Sequence, residues 1–462
     1  MWRLNKNSIC LAAIVTNFFA LFLQVVHAAD NPNILFVFSD EHRYQSMGHT
    51  EMPAMKTPTM DRMAKEGFSF SQCVSNYPVC SPYRAIVLSG QWPYQSGVTD
   101  NSIPLSSSTP TVGKAFQAAG YRTGYIGKWH LGGTDATPFG FDTSLIWDRT
   151  NTHYDESVYH VSDGQAVKPK GYNATLMTDQ ALHFIGENND KPFFLMLSLN
   201  PPHSDFTDAP PEKLALYPEG SLPYRPNYAL PEAEKGSVFS KNGYPHYEGY
   251  HAHISAIDDE LTRLLDTLKE KGLSENTIVV YSSDHGSMHG SHGVGSKRQP
   301  YEESVRIPLI IYGPGRVPGG VANQALFGAI DMVPTLCGLA GIDVPAGCAG
   351  EDYSATVLTG ANPPERDAQF IMHIAKDNAS HGNEHPAPIF RGVRTLQYTY
   401  AVGPEAPMCL FDNQADPYQM KNLIDDEEHV AIRKALQNDL AHCLKSADDP
   451  FILPTTTDST SG

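Results

Sequence analysis

Short apolar segments alternate with helix-like segments through the first three-quarters of this 462-residue chain. Residues 33–38, 192–199 and 277–281 are continuous apolar runs of strand length, as expected for strands buried on both faces of a sheet. Among the helix-like segments, residues 57–67 begin with Thr-Pro and end at a glycine, and residues 254–268 repeat apolar side chains on one helical face. Repeated β-α units of this kind predict a large, doubly wound, mostly parallel sheet flanked by helices.

The pattern changes at about residue 351. Four short strand-like segments follow one another without helices between them, and a helix-like segment over residues 427–444 comes after them. This order favours a smaller antiparallel sheet with one helix. We therefore expect a main domain over residues 29–350 and a C-terminal α+β subdomain over residues 351–462, with a disordered tail from residue 455.

Residues 1–28 have the features of a cleaved signal peptide. Arg3 and Lys6 precede an apolar stretch over residues 9–26, and Val26-His27-Ala28 offers a small-residue cleavage site. A membrane anchor is the alternative, but polar residues interrupt the stretch, and no later segment is apolar for long enough to span a bilayer. We expect a secreted or periplasmic protein with no membrane span after cleavage. The net charge of −18 argues against nucleic-acid binding, which requires a basic face.

The seven cysteines do not form a disulfide framework. Cys10 lies in the predicted leader, and Cys337 and Cys348 are near enough in sequence for a local bridge, although sequence alone does not determine the pairing. Cys80 has a different setting, because Pro82 follows it at the start of a helix-like run that ends near Gly90. The N-terminus of a helix attracts anions. A buried structural thiol and a thiolate nucleophile both remain open for Cys80 at this point.

Polar side chains follow the predicted strands at the points where these strands end. Taken singly, each could be a turn residue, a solvated lysine or an ordinary hydrogen-bonded histidine. Because the ligand site of an open α/β sheet lies beyond the carboxyl ends of its strands, we expect the whole set to converge. Carboxylates with one nitrogen suit calcium, magnesium or manganese, lysines suit a tetrahedral oxyanion, and histidines can move protons. The set consists of Asp40, Glu41, Lys128, His130, His203, Asp284 and His285, together with Cys80 and Lys297.

The segment Cys80-Ser81-Pro82-Tyr83-Arg84 fits the C-x-P-x-R signature of the formylglycine-dependent sulfatases, a family within the alkaline-phosphatase-like superfamily. This signature is short, but the resemblance continues in order along the chain. The further matching segments include PNILFVFSDEHR, GYRTGYIGKWHLG, SLNPPH, TIVVYSSDHG, YEESVRIPLIIYGPG and, in the second lobe, LFDNQADPYQMKNL. The chain therefore resembles this family over nearly its whole mature length.

The resemblance implies that a formylglycine-generating enzyme oxidises Cys80 to formylglycine, whose hydrated aldehyde is the nucleophile. It implies one calcium ion per chain and a brace for the nucleophile at Arg84. Glu41 stands where many members have Asp or Gln. The implied metal ligands are Asp40, Glu41, Asp284, His285 and the modified Cys80.

The resemblance also assigns the remaining polar residues to sulfate. Lys128 and Lys297 match lysines that clamp the sulfate group. His203 resembles the residue that binds sulfate and protonates the leaving oxygen, and His130 resembles the base that helps to expel sulfate from the nucleophile. These expectations describe a sulfuric ester hydrolase.

An exported sulfatase meets polymers from outside the cell, so we expect a sulfated polysaccharide or its oligosaccharides as substrate. Choline sulfate or an aryl sulfate is the lesser alternative. Candidate substrate-binding residues on the rim are Arg149, His153 and His246, within the segments 147–160 and 203–250, and residues 381–394 are a third candidate surface. The alternative functions are a phosphate or phosphonate ester hydrolase of the same superfamily and a catalytically silent carbohydrate-binding relative.

Overall fold

The computed structural model describes residues 31–101, 103–148, 152–154, 158–161, 165–187, 191–229, 247–374 and 387–454. Its strands fall into one large sheet and one small sheet. The strands are β1 (Asn33–Ser39), β2 (Phe68–Val74), β3 (Arg122–Lys128), β4 (Thr143–Asp148), β5 (Val158–Val161), β6 (Ala166–Val167), β7 (Phe193–Ser198), β8 (Thr277–Ser283), β9 (Leu309–Tyr312), β10 (Val321–Gly328), β11 (Gln369–His373), β12 (Phe390–Arg394), β13 (Tyr398–Val402) and β14 (Pro407–Asp412).

The large sheet has ten strands in the order β10-β2-β9-β8-β1-β7-β3-β4-β5-β6. Its central strands, β8, β1, β7, β3 and β4, are parallel to their neighbours in this series. The strand β9 runs antiparallel between β8 and β2, and β5 and β6 extend the other edge in antiparallel pairs. The predicted fold class, a large mostly parallel sheet, is confirmed, although β9 runs antiparallel to both of its neighbours.

Both faces of the large sheet are buried along the central strands β1, β7 and β8, as the continuous apolar runs predict. Along β1, Ile34 and Phe36 face one hydrophobic core, whereas Leu35 and Val37 face the other. Helices cover these faces. The α-helices of the described residues are α1 (Pro58–Glu66), α2 (Cys80–Ser89), α3 (Pro93–Ser96), α4 (Val112–Ala118), α5 (Asn173–Gly186), α6 (Pro211–Leu214), α7 (Tyr247–Glu270), α8 (Glu302–Val305), α9 (Met332–Ala340), α10 (Ser354–Thr359) and α11 (Val430–Ser446).

The small sheet, in the order β11-β12-β13-β14, is antiparallel throughout. Leu436 and Leu440 of α11 belong to the same continuous hydrophobic core as Phe36 in the large sheet. A buried ion pair also connects the small sheet to the main body, because Arg394 at the end of β12 contacts Glu302 of α8 at 3.1 Å. The small antiparallel sheet with its helix is therefore confirmed, and it packs directly on the main body.

Two expectations about local structure are incomplete or wrong. The strands β2, β4, β5, β6 and β10 have no counterpart among the predicted strands. In β2 and β10, polar residues such as Ser69, Gln72 and Asn323 interrupt the apolar pattern. The suggested bridge between Cys337 and Cys348 is wrong, since all six cysteines of the described residues are free.

Some expectations lie outside the described residues. These are the signal peptide over residues 1–28, the tail from residue 455, and the candidate rim residues Arg149 and His246. Of the helices that the structure describes, none is long and apolar enough to cross a membrane.

Candidate active site

The carboxyl ends of the parallel strands meet at one edge of the large sheet, and Cys80 lies at that edge. It is the first residue of α2 and is 1% exposed. Asp40 follows β1, and Asp284 and His285 follow β8. The Cys80 Sγ atom lies 3.7 Å from Oδ1 of Asp40 and 3.4 Å from Nε2 of His285. Residues separated by about 200 positions in sequence thus surround one sulfur atom.

Arg84 lies one helical turn after Cys80 and holds the surrounding groups together. Its Nη2 atom lies 2.9 Å from Oδ2 of Asp40 and 3.3 Å from Oδ2 of Asp284. Its Nη1 atom donates to the Lys128 carbonyl at 2.7 Å and to the Ser198 hydroxyl at 2.6 Å. Because a guanidinium is planar and permanently charged, it fixes the two carboxylates at the base of the site.

Four groups at this edge have the chemistry of a cation site. Ligand atoms of Asp40, Cys80, Asp284 and His285 all lie within 4.8 Å of one another, and all four residues are buried. His285 donates from Nδ1 to the Gly286 carbonyl at 2.9 Å, which directs the lone pair of Nε2 toward Cys80. Burial and the adjacent Asp40 carboxylate raise the pKa of Asp284 to about 7. Two buried carboxylates side by side fit a divalent cation with oxygen ligands.

Positive charge surrounds the Cys80 sulfur. Nζ of Lys297 lies 3.3 Å from Sγ, and Nζ of Lys128 lies 2.5 Å from Oδ2 of Asp40. Although burial opposes ionisation, the nearby cations Lys297 and Lys128 hold the pKa of the Cys80 thiol well below its ordinary value. The position therefore stabilises negative charge at this atom and at any anion attached to it.

His203 and Glu41 lie next to Lys297 on the solvent side of this cluster. Nε2 of His203 is 3.3 Å from Oε1 of Glu41, and the Lys297 ammonium contacts the same oxygen. Burial and the Lys128 charge lower the pKa of His203 to about 4. The His203 side chain is 16% exposed, so it is accessible to a ligand that enters the cleft.

His130 also lies beside Cys80. Burial lowers the pKa of His130, and a hydrogen bond with Cys80 acts in the opposite direction. The backbone carbonyl of His130 accepts a hydrogen bond from the Ser81 hydroxyl, which ties this residue to the first turn of α2. The structure thus brings together, around Cys80, the polar residues that the sequence analysis predicted at the ends of the strands.

Glu41 does not join the group of ligand atoms formed by Asp40, Cys80, Asp284 and His285, but ligand atoms of Asp40, Glu41 and His203 also lie within 4.8 Å of one another. Its backbone has a φ of 73°, in the left-handed region that non-glycine residues seldom adopt. Its carboxylate pairs with Lys297 and His203, and the Lys297 charge lowers its pKa against the effect of burial. The structure therefore places Glu41 beside Lys297, the lysine that the resemblance assigns to sulfate.

The sequence analysis did not identify two residues of the site, Ser198 and Tyr250. Ser198 at the end of β7 accepts from Arg84 and donates to the Lys128 carbonyl at 2.8 Å. Tyr250 on α7 donates from its hydroxyl to the Glu41 carbonyl at 2.7 Å. Ser198 could have been found, because it is a polar residue at a strand end. No sequence signal marks Tyr250, whose position depends on the packing of α7.

The rim residues that the structure describes do not form the expected substrate surface. His153 has a fully buried side chain, and its Nδ1 atom lies 2.6 Å from Oδ1 of Asp208. In the range 381–394, Arg391 and Arg394 are buried in ion pairs with Asp449 and Glu302. These side chains are occupied inside the protein, so they do not form a substrate surface. Residues 381–386 of that range lie outside the described residues.

Comparison with known proteins identifies a family for the chain. A family model described as Sulfatase matches residues 32–342, which is more than half of the chain. The chain belongs to the sulfatase family. A second model, described as N-sulphoglucosamine sulphohydrolase, C-terminal, matches residues 290–446. Sulfatases are sulfuric ester hydrolases, and formylglycine dependence is characteristic of the family. The family predicted from the Cys80 signature is therefore confirmed.

Individual relatives agree with the family. The chain is 34% identical to the ulvan-active sulfatase of Formosa agariphila over 91% of this chain and 82% of that protein. It is 28% identical to an endo-4-O-sulfatase of Bacteroides thetaiotaomicron, over 93% of this chain and 94% of the relative. A solved structure in complex with its substrate D-glucosamine-2-N,6-O-disulfate superposes with a TM-score of 0.79 at 26% identity, covering 91% of this chain and 99% of the other.

Proposed function

We propose that this sulfatase removes sulfate from a sulfated polysaccharide or its oligosaccharides, with Cys80 converted to formylglycine. The observation that carries the proposal is the position of the Cys80 side chain, within 3.7 Å of Asp40, His285 and Lys297. The carbohydrate substrate is inferred from relatives, which are named for ulvan, for a 4-O-sulfate and for an N-acetylglucosamine-6-O-sulfate.

The charges around Cys80 suit an anionic ester. Lys128 and Lys297 are both more than nine-tenths buried, so their charges act on a bound sulfate with little screening by water. The overall fold does not select sulfate, because a phosphonate monoester hydrolase of Agrobacterium radiobacter shares it with a TM-score of 0.75 at 20% identity. The family match and the two buried lysines together favour sulfate.

The residues present fit a calcium ion, held by the carboxylates of Asp40 and Asp284 and by Nε2 of His285. When bound, this ion supplies positive charge to the sulfuryl oxygens and to the nucleophile. The Sγ atom of Cys80 marks the position of the formylglycine oxygen, which would complete the ligand set. Arg84 keeps both carboxylates in place through its two contacts.

His203 and His130 each carry out one proton transfer, His203 at the leaving oxygen and His130 at the nucleophile. His203 is partly exposed and contacts Glu41, and we assign to it donation to the oxygen that leaves with the sugar. This role requires Glu41 and the bound anion to favour the protonated form that burial and Lys128 disfavour. His130 hydrogen-bonds to Cys80 and can take a proton from the nucleophile when sulfate departs. The carboxylate of Glu41 supports the protonated form of His203, because it opposes the effect of burial on the pKa.

The proposed location is the periplasm or the cell exterior, and maturation requires a formylglycine-generating enzyme. The amino-terminal features of a signal peptide support export. The segment around Pro82 and Arg84, which carries the signature, supports the maturation step.

A panel of substrates tests the proposal. Matured protein, produced with a formylglycine-generating enzyme, is incubated with sulfated oligosaccharides, choline sulfate and an aryl sulfate, and free sulfate is measured. We expect at least one oligosaccharide to have the highest kcat/KM and to lose all turnover in Cys80→Ala. Turnover restricted to the small esters would refute the carbohydrate assignment.

A further inference from the structure

A second group of metal-ligating side chains lies beside the segment that carries His203. It consists of His153, Asp208 and His253, whose ligand atoms lie within 4.8 Å of one another. Oδ1 of Asp208 is 2.6 Å from Nδ1 of His153 and 3.5 Å from Nε2 of His253. The Asp205 carbonyl oxygen is 3.0 Å from the same Nε2 atom. Four ligand atoms from three segments of the chain therefore face one another.

The spacing of these atoms fits a tetrahedral transition-metal ion. Zinc bonds to nitrogen and oxygen are about 2.0–2.2 Å long, so ligand atoms around tetrahedral zinc lie roughly 3.3 Å apart. The three measured separations, 2.6, 3.0 and 3.5 Å, bracket that value. Two imidazoles with one carboxylate favour zinc and related ions, whereas calcium and magnesium prefer oxygen ligands alone.

The surroundings hold these ligands in the required orientation. The His253 ring uses Nδ1 to contact the Tyr172 hydroxyl at 2.7 Å, which leaves Nε2 directed at Asp208. The second carboxylate oxygen of Asp208 accepts the backbone N–H of His153 at 2.8 Å, so the first oxygen points between the two rings. Both histidine side chains are fully buried, and Asp208 is 24% exposed, which provides a path from solvent.

We propose that His153, Asp208 and His253, with the Asp205 carbonyl, form a second metal site for a zinc-class divalent ion, separate from the site at Cys80. This ion would connect the segment 152–154, the loop after β7 and the helix α7. The loop also carries His203, five residues before Asp208, so the ion would fasten the loop that positions His203.

Metal titration of the full chain tests this site without relying on activity. The protein is stripped with a chelator, saturated with Ca²⁺, and titrated with Zn²⁺ by calorimetry and with Co²⁺ by visible absorption. We expect one Zn²⁺ to bind per chain in the presence of saturating Ca²⁺, and Co²⁺ to give the intense bands of a low-symmetry nitrogen–oxygen site.

Asp208→Asn and His253→Gln should each weaken Zn²⁺ binding at least tenfold, and near-ultraviolet circular dichroism should confirm that they remain folded. Asp208→Asn keeps an acceptor for His153, so a folding failure is not expected from this variant. His183→Gln is the matched control, because its side chain is 76% exposed and distant in sequence from the cluster. Equal Zn²⁺ affinity in all variants, or no Zn²⁺ binding by the wild type, would show a hydrogen-bonded cluster only and overturn the proposal.

Discussion

Replacement of Lys297 by methionine should reduce catalysis without changing the shape of the site. The ammonium lies 3.3 Å from Sγ of Cys80, so sulfuryl oxygens bound to a nucleophile at that position lie within about 4 Å of it. At an effective dielectric constant of about 20, two unit charges at about 4 Å interact by about 4 kcal/mol. Since only part of a unit charge develops at these oxygens, we expect a loss of about 2–4 kcal/mol of transition-state stabilisation. This corresponds to a fall in kcat of roughly 30- to 1000-fold.

The assay is steady-state release of sulfate from an aryl sulfate, with preparations matched for formylglycine content at Cys80. Lys421→Met is the control, because Lys421 has a 74% exposed side chain and pairs only loosely with Asp426 at 3.8 Å. Lys297→Met also leaves the buried Glu41 carboxylate without its ammonium partner, so Glu41→Gln is combined with it in a double variant. The double variant should recover thermal stability and remain slow. A loss of less than about threefold in kcat in both variants would refute the electrostatic role of Lys297.

Two further predictions concern stability. Arg394→Met removes the closer of two arginines that pair with the buried Glu302 and leaves Arg306 at 3.6 Å, so it should cost about 3 kcal/mol in urea unfolding. Arg263→Met, at a surface pair with a 38% exposed arginine, should cost less than about 1 kcal/mol. Similar costs for the two variants would contradict a stabilising buried connection between the small sheet and α8. Burial and the Arg43 charge hold the pKa of His289 in the folded protein well below its ordinary value of 6.5. Below pH 6.5 the unfolded chain therefore binds a proton at His289 more readily than the folded chain does, and the free energy of unfolding falls as the pH decreases. In His289→Asn, the thermal midpoint should fall less between pH 6.5 and pH 5 than in the wild type, and asparagine tolerates the φ of 42° at this position. An equal fall in the two proteins would exclude a contribution from His289.

The fold and most of the site follow from two regularities of the sequence. Continuous apolar runs identified β1, β7 and β8, because strands covered on both faces have no polar side to interrupt them. The rule that ligands bind beyond the carboxyl ends of parallel strands then directed attention to the residues after those strands, such as Asp40 and Asp284. Both regularities are local in sequence, so they could be applied without knowledge of the tertiary structure.

The remaining features depend on contacts between distant segments. The partner of Glu41 could not be predicted, because the left-handed backbone at residue 41 is a property of the folded turn. The buried state of His153 depends on Asp208 and His253, which lie 55 and 100 positions away in sequence. The burial of the two arginines of β12 could not be predicted either, because a charged residue in a strand is usually exposed unless it has a buried partner, and the sequence does not identify that partner.

The central claim is that the Cys80 side chain, once oxidised to formylglycine, is the nucleophile of this sulfatase. The most direct test measures the modified fraction of the peptide containing Cys80 by mass spectrometry in preparations made with and without a formylglycine-generating enzyme, and compares it with the rate of sulfate release. We predict that specific activity rises in proportion to the modified fraction and extrapolates to zero for the unmodified thiol. Undiminished turnover by protein whose Cys80 is entirely unmodified would contradict the claim.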